Sequence, residues 1–283
     1  YPHWELCIAD DASTLPHVRQ VLEEYAQRDS RLKVDYRQEN GHISAASNSA
    51  LALAQGDYIA LLDHDDVLPP HALYVVAGEI LTHPQVRLIY SDEDKINERG
   101  ERFSPYFKCD WNPDLFLSHN LITHLGVYKT VLVREVGGFR EGYEGGQDYD
   151  LALRVVEHLK PHHIRHIPHV LYHWRTHSQS TALTPDAKPY AITAAKKAIS
   201  EYLARSGKAA TQVTESFHGP GTLRVRYPLP DSPPLVSLII PTRNRLDLLR
   251  VCIGSILEKT TYNPLEIIIV DNASTDDSFE LEQ

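Results

Sequence analysis

Apolar positions in the first part of the chain change period repeatedly. Trp4-Glu5-Leu6-Cys7-Ile8-Ala9 is a short apolar run that predicts a strand, and Val18, Val21, Leu22 and Tyr25 then recur at helical spacing. Leu32, Val34 and Tyr36 alternate as a strand, while Ile43, Ala46, Ala50 and Leu53 mark a second helix. Residues 58–62 read as a buried strand, 71–81 as a helix and 86–90 as a strand again. Strands alternating with helices imply an α/β fold with a mostly parallel sheet and helices on both faces. In such sheets ligands bind beyond the carboxyl ends of the strands, so the residues that follow each strand carry most weight.

The chain also repeats itself. Residues 1–14 return as residues 262–275 at a constant offset of 261, with Tyr, Glu, Ile, Asp and Ala-Ser-Thr on identical positions. Two copies at that distance are tandem domains, not solenoid repeats. The second copy is preceded by an apolar run, Leu235-Val-Ser-Leu-Ile-Ile240, and then Pro241-Thr-Arg-Asn244. The first copy is therefore expected to lack its opening strand and helix, and the chain to be a piece cut at both ends. Ile192, Ala195, Ile199 and Leu203 mark a helix that Gly207 can stop. Pro228, Pro230, Pro233 and Pro234 follow in what reads as a stiff connector. These boundaries give a first domain over 1–206, a linker over 207–234 and the start of a second domain over 235–283. An incomplete sheet leaves an edge open. Residues 235–240 are accordingly expected to dock on the first domain and to fill the strand position beside residues 5–9.

Composition narrows the chemistry. A formal charge of −10, from 38 acidic against 28 basic residues, argues against a nucleic-acid partner. Cys7, Cys109 and Cys252 are an odd, scattered set with no metal-type spacing, which fits a reducing compartment. No apolar stretch approaches the roughly 20 residues of a membrane span. Of 16 histidines, seven fall between His158 and His177, at spacings that match no zinc pattern and read more simply as solvated.

Against that background the strand ends stand out. The run Tyr58-Ile-Ala-Leu-Leu62 exits into Asp63-His-Asp-Asp66, three carboxylates in four residues. Like charges so close repel one another unless a cation neutralises them, and oxygen ligands of this kind suit Mg²⁺ or Mn²⁺. The simpler alternative is a solvated turn in which Asp66 caps the next helix. The first strand ends in Asp10-Asp11, which could accept from the N–H of a base or cap a helix. Gly145-Gly146 leads into Gln147-Asp148-Tyr-Asp150, where a carboxylate at a helix N-terminus is favoured as the anion and suits a general base. Asp148, nearer the glycines, is the better base; Asp150 reads as structural. In Leu171-Tyr-His-Trp-Arg-Thr-His177, Arg175 offers a planar fork for phosphate oxygens, and His177 or His173 could serve a metal or a diphosphate. Trp174 reads as core rather than as a sugar platform.

Asp10-Asp11, Asp63-His-Asp-Asp66, Gln147-Asp148 and Arg175-Thr-His177, in this order, resemble glycosyltransferase family 2. The resemblance covers residues 1 to about 181 and restarts at Leu235. It implies a GT-A fold and an inverting, metal-dependent transfer of a sugar from a nucleotide-diphosphate donor to a polysaccharide or lipid-linked glycan. Residue by residue, it implies nucleoside contacts by Asp10 and Asp11 and a metal at Asp63, Asp65 and Asp66. It implies a base at Asp148 and diphosphate contacts by Arg175 and His177. Tandem copies resemble the long transferases of O-antigen or rhamnose-rich polysaccharide assembly. Such an enzyme is expected in the cytoplasm, at the inner face of the cell membrane. A nucleotidyltransferase would use the same sheet and aspartates, and a non-catalytic sugar-nucleotide module would keep the fold alone.

Overall fold

The computed structural model describes residues 1–176, 189–217, 219 and 221–275, which fall into two units, Tyr1–Tyr227 and Pro228–Gln283. In the first unit, β1 (Leu6–Asp10) lies parallel to β2 (Leu32–Tyr36), with Ile8 opposite Val34. Their connection is α1 (Pro16–Arg28), which begins on a proline whose missing N–H would have had no partner in a first turn. Next come α2 (His42–Leu53), β3 (Tyr58–Ala60), α3 (Ala72–Thr82), β4 (Leu88–Ile96) and β5 (Arg102–Tyr106). The short α4 (Pro113–Phe116), β6 (Val127–Lys129), α5 (Thr130–Glu135), α6 (Gln147–Val156) and β7 (Ile164–Arg175) follow.

The α/β expectation holds, and the larger sheet is mixed. Its order is β3-β6-β4-β5, with β7 paired to β4 in parallel while β5 and β6 run antiparallel to β4. Only five residues separate β4 from β5, a hairpin connection too short for a parallel crossover. β4 also runs further than the apolar pattern indicates, because its second half is the buried polar run Ser91-Asp92-Glu93-Asp94.

β3 ends the larger sheet, and β1 pairs with β2 alone among the described strands. Between β1 and β3 runs part of a cleft of about 1740 Å³, lined there by Leu6, Cys7, Tyr58, Leu61, Val76 and Ile80. In the main core, Tyr90, Phe116, Tyr149, Leu151 and Leu153 are nearly inaccessible to water. Each such side chain contributes roughly 1.5–3 kcal/mol by its burial. α7 (Pro189–Arg205) closes this core through Ala198, Ile199 and Leu203. The segment after α7 differs from the connector its glycines and prolines imply. β8 (Gln212–Glu215) and β9 (Leu223–Arg226) form an antiparallel hairpin, and Leu223 is buried in the same core.

In the second unit, β10 (Val236–Thr242) and β11 (Leu265–Asp271) are parallel, joined by α8 (Leu246–Lys259). β10 thus pairs within its own two-stranded sheet, so the expectation that it fills the position beside β1 is not met. The sequence repeat is also a structural one. Ser13 N–H donates to Asp10 at 3.2 Å and Ser274 N–H to Asp271 at 3.1 Å, and the intervening Ala12 and Ala273 both take a positive φ, 60° and 55°. Among the described residues no helix is long and apolar enough to cross a membrane.

Candidate active site

The acidic loop after β3 is fastened to the end of β7. Tyr172 hydroxyl donates to Asp66 Oδ2 at 2.5 Å and accepts from Asp63 N–H at 3.2 Å. Arg175 N–H donates to Asp66 Oδ1 at 2.6 Å, and its Nε donates to the Asp65 carbonyl at 2.6 Å. A two-way backbone bridge between Val67 and His173 completes the fastening. Asp66 therefore does not cap α3, whose N-cap is His71 with no side-chain cap bond. Burial pushes the Asp66 carboxyl above the ordinary carboxylate value, although the bonds from Tyr172 and Arg175 oppose the rise. Burial raises Asp63 too, with the charges of Asp148 and Asp65 adding to it and that of His124 opposing.

His124 comes from the loop before β6. One ligand atom each from Asp63, Asp66 and His124 lie within 4.8 Å of one another, a group able to hold a metal ion. The imidazole is fixed from behind. Its Nδ1 lies 3.2 Å from Glu93 Oε2, and that carboxylate also accepts from His124 N–H at 3.1 Å and Thr123 hydroxyl at 2.9 Å. Burial alone would lower the His124 pKa, but the hydrogen bond to Glu93 and the charges of Glu93 and Asp63 outweigh it and hold it above the usual imidazole value. Burial likewise works against Glu93, yet His124 and the Lys108 ammonium bring its carboxyl down to about 2. A carboxylate behind a histidine is the arrangement that fixes tautomer and ring direction at metal sites.

Asp148 reaches the cleft from the first turn of α6. Gly145 before it is required by packing, because a Cβ there would lie 2.5 Å from the Tyr190 ring of α7, and the residue also takes φ +82°. Burial raises the Asp148 pKa; His124, the helix-start N–H groups of Tyr149 and Asp148 itself, and Asn120 pull against it. Asn120 Nδ2 donates to Asp148 Oδ2 at 2.7 Å. Asp150, two residues on, is buried between Arg140 and Arg154 at 2.5 and 2.8 Å, as a structural aspartate should be.

The structure brings Asp63 and Asp148 to one cleft, together with His119, Asn120, His124 and Trp174, and sets Asp66 against the same group. Trp174 is half-buried, packed on a core cluster while facing the cleft. Asp65 is not in the Asp63–Asp66–His124 group. Asp10 and Asp11 do not line this cleft: Asp10 shapes the turn to Ser13, and Asp11 accepts from Arg37 Nε at 2.7 Å and Gly41 N–H at 2.9 Å. His173 is committed to Asp94 at 2.5 Å inside the protein, and His177 lies outside the described residues. The sequence reading misses Asn120, His124, Lys108 and Glu93. Their only local signal is polarity where β4 and the β6 approach should be apolar.

Comparison with known proteins now adds to this geometry. The model of the family described as "Glycosyl transferase family 2" matches residues 1–137 and 237–281. The chain belongs to glycosyl transferase family 2. The match falls on both copies of the repeat. A protein named y4gI from Sinorhizobium fredii is 50% identical over 98% of this chain and 30% of its own length. The O-antigen biosynthesis protein RfbC of Myxococcus xanthus is 40% identical over 97% of this chain and 21% of its own. The chain thus spans less than a third of either relative. Among solved structures, S. aureus TarS superposes with a TM-score of 0.50 at 18% identity, over 71% of this chain and 37% of its own, a likeness of fold.

Proposed function

We propose that this family 2 chain performs a metal-dependent, inverting transfer of a sugar from a nucleotide-diphosphate donor to a hydroxyl of a polysaccharide or lipid-linked glycan. One observation carries the reading: the Asp63–Asp66–His124 group and the carboxylate of Asp148 meet at a single cleft. The name of the Myxococcus relative supports an O-antigen-type product. No observation favours the nucleotidyltransferase alternative.

The donor set fits a divalent cation. Two carboxylates and an imidazole whose far nitrogen faces Glu93 suit Mn²⁺ or Mg²⁺, with the remaining positions left to water and phosphate oxygens. Asp63, Asp66 and His124 would hold it, with Asp65 beside them. When bound, such an ion supplies positive charge to the departing diphosphate. Arg175, whose guanidinium lies on this loop, adds a fixed donor for phosphate oxygens, with His177 following it in the chain. The turn at Asp10 and Asp11 is assigned to the nucleoside end.

Asp148 takes the proton of the acceptor hydroxyl. The acceptor oxygen then attacks the anomeric carbon from the face opposite the diphosphate, forming one glycosidic bond as the old carbon–oxygen bond breaks and inverting the centre. A carboxylate raised toward the working pH takes that proton more effectively than an ordinary aspartate.

The test uses the full-length protein, a panel of uridine, guanosine and deoxythymidine diphosphate sugars, and Mn²⁺ or Mg²⁺. Asp148→Asn is expected to lower transfer by about 10²–10⁴-fold while donor affinity stays within about twofold. Near-full transfer by that variant removes the base assignment, and a product of retained configuration rejects the mechanism.

A further inference from the structure

The base lies in the first turn of α6, and the residue that feeds it its geometry lies on a separate loop before β6. We infer that Asn120 is a positioning residue for Asp148, holding its carboxylate in the orientation that receives the acceptor proton. The inference rests on the proposed base role and adds to it.

Asn120 lies 28 residues before Asp148 and donates Nδ2–H to its Oδ2 at 2.7 Å. Its other side-chain atom is taken: Asn120 Oδ1 accepts from the backbone N–H groups of Ile122 and Thr123 at 3.2 and 3.3 Å. Those two donors decide which way the amide faces, because an exchanged amide would turn N–H against N–H. The amide thus meets Asp148 as a donor.

The loop carrying Asn120 is clamped in turn. Lys108 Nζ, fully buried, reaches the carbonyls of Ile122 at 2.9 Å and His124 at 2.6 Å and the Thr123 hydroxyl at 2.8 Å. Glu93 holds Thr123 and His124 from the other side. Asn120 is therefore the end of a rigid chain that runs from β4 through residues 122–124 to the Asp148 carboxylate. The choice of side chain follows from the chemistry. A lysine or arginine here would stabilise the carboxylate as a full ion pair and weaken it as a base, and an acid would compete for the proton. An amide donates one hydrogen bond and titrates nowhere near the working range. The same loop brings His124 to Asp63 and Asp66, so one clamp sets both sides of the cleft.

The experiment compares Asn120→Ala, Asn120→Asp and Asp148→Asn in the full-length protein. Asn120→Ala is expected to lower kcat by about 10–100-fold, since a misplaced reacting group costs on that order. Affinity for UDP, GDP or dTDP, measured by calorimetry with Mn²⁺, stays within about twofold. The acidic limb of the kcat/KM profile moves to higher pH, because one donor that favours the ionised carboxylate is gone. It moves further in Asn120→Asp, which puts a like charge beside Asp148. The groups facing Asp148 besides Asn120 are His124, Asp63, Tyr128 and Tyr149, all unchanged in these variants. A readout that needs no donor is the ¹³C carboxyl titration of Asp148, identified by its loss in Asp148→Asn; its midpoint rises in Asn120→Ala. An unmoved midpoint and pH limb in a folded Asn120→Ala protein overturns the inference. So does a kcat loss matched by equal losses of nucleotide affinity and thermal stability, which is a structural defect only. If Asp148→Asn keeps transfer, the base reading fails instead, and the midpoint measurement still decides whether Asn120 governs that carboxylate.

Discussion

Two acidic triplets lie close in this chain, and they behave oppositely. Asp92, Glu93 and Asp94 are buried in the middle of β4, and each is answered by the protein. Asp92 accepts from Lys108 N–H at 2.9 Å and pairs with His166 at 2.8 Å; Asp94 pairs with His173 at 2.5 Å and Arg102 at 2.6 Å. Glu93 has Lys108, Thr123 and His124, and its carboxyl falls to about 2. At the end of β3, Asp66 is held by two neutral donors, the Tyr172 hydroxyl and the Arg175 backbone N–H, and burial raises both Asp63 and Asp66. Acidity by itself therefore does not mark a site. What separates the two regions is whether the charges are settled internally or held in readiness for something from outside.

Lys108→Met removes the buried ammonium and leaves Glu93 uncompensated, which is expected to cost about 3–5 kcal/mol in denaturant unfolding. A loss below about 1 kcal/mol would mean that the β4 triplet is not settled by its partners.

Acid should sharpen the contrast. Glu93 is depressed in the folded state from an ordinary value of 4.5 to about 2, so its contribution is fully present above pH 4.5 and is lost as pH falls toward 2. Asp63 and Asp66 are raised, so they act in the opposite sense, their contribution being present at low pH and lost as pH rises through their folded values. Glu93→Gln is expected to flatten the acid side of the stability curve followed by circular dichroism, whereas Asp63→Asn, which removes an opposing contribution, should leave that side at least as steep as before. A wild-type-like acid limb in Glu93→Gln contradicts the assignment.

The smallest effect on stability belongs to Asp63→Asn itself. Asp63 is solvent-exposed, so unfolding free energy should change by less than about 0.5 kcal/mol. The same variant should bind Mn²⁺ at least about tenfold more weakly, read by calorimetry or by electron paramagnetic resonance. A large loss of stability with intact Mn²⁺ binding would make the loop triplet structural after all.

Much of the architecture was legible because period and placement agree in it. β2 falls on residues 32–36 as its alternation requires, and α1, α2 and α3 cover the helical stripes. The second half of β4 was not legible, because the histidines that make Asp92 and Asp94 tolerable in a strand sit on β7, more than 70 residues away. For the same reason the crowd of histidines over 158–177 divides: His166 and His173 answer buried carboxylates instead of facing water. Asn120 and His124 lie in a loop with no periodicity, and only the folded arrangement gives them partners. The hairpin of β8 and β9 was hidden by the glycines and prolines around it.

The fastening of residues 63–66 to β7 also bears on when the site comes into being. Its bonds join positions 106 to 110 apart in the chain: Tyr172 to Asp66 and Asp63, and Arg175 to Asp66 and Asp65. Contacts of such long range repay their loop-closure cost only after much of the intervening chain has condensed. During synthesis, β3 leaves the ribosome long before β7, and its acidic end must wait for residues 172–175 before it takes its final shape. Amide exchange at Asp63 and at Arg175 should consequently slow in step during refolding, later than within α2, and the earliest compact species should hold little affinity for Mn²⁺.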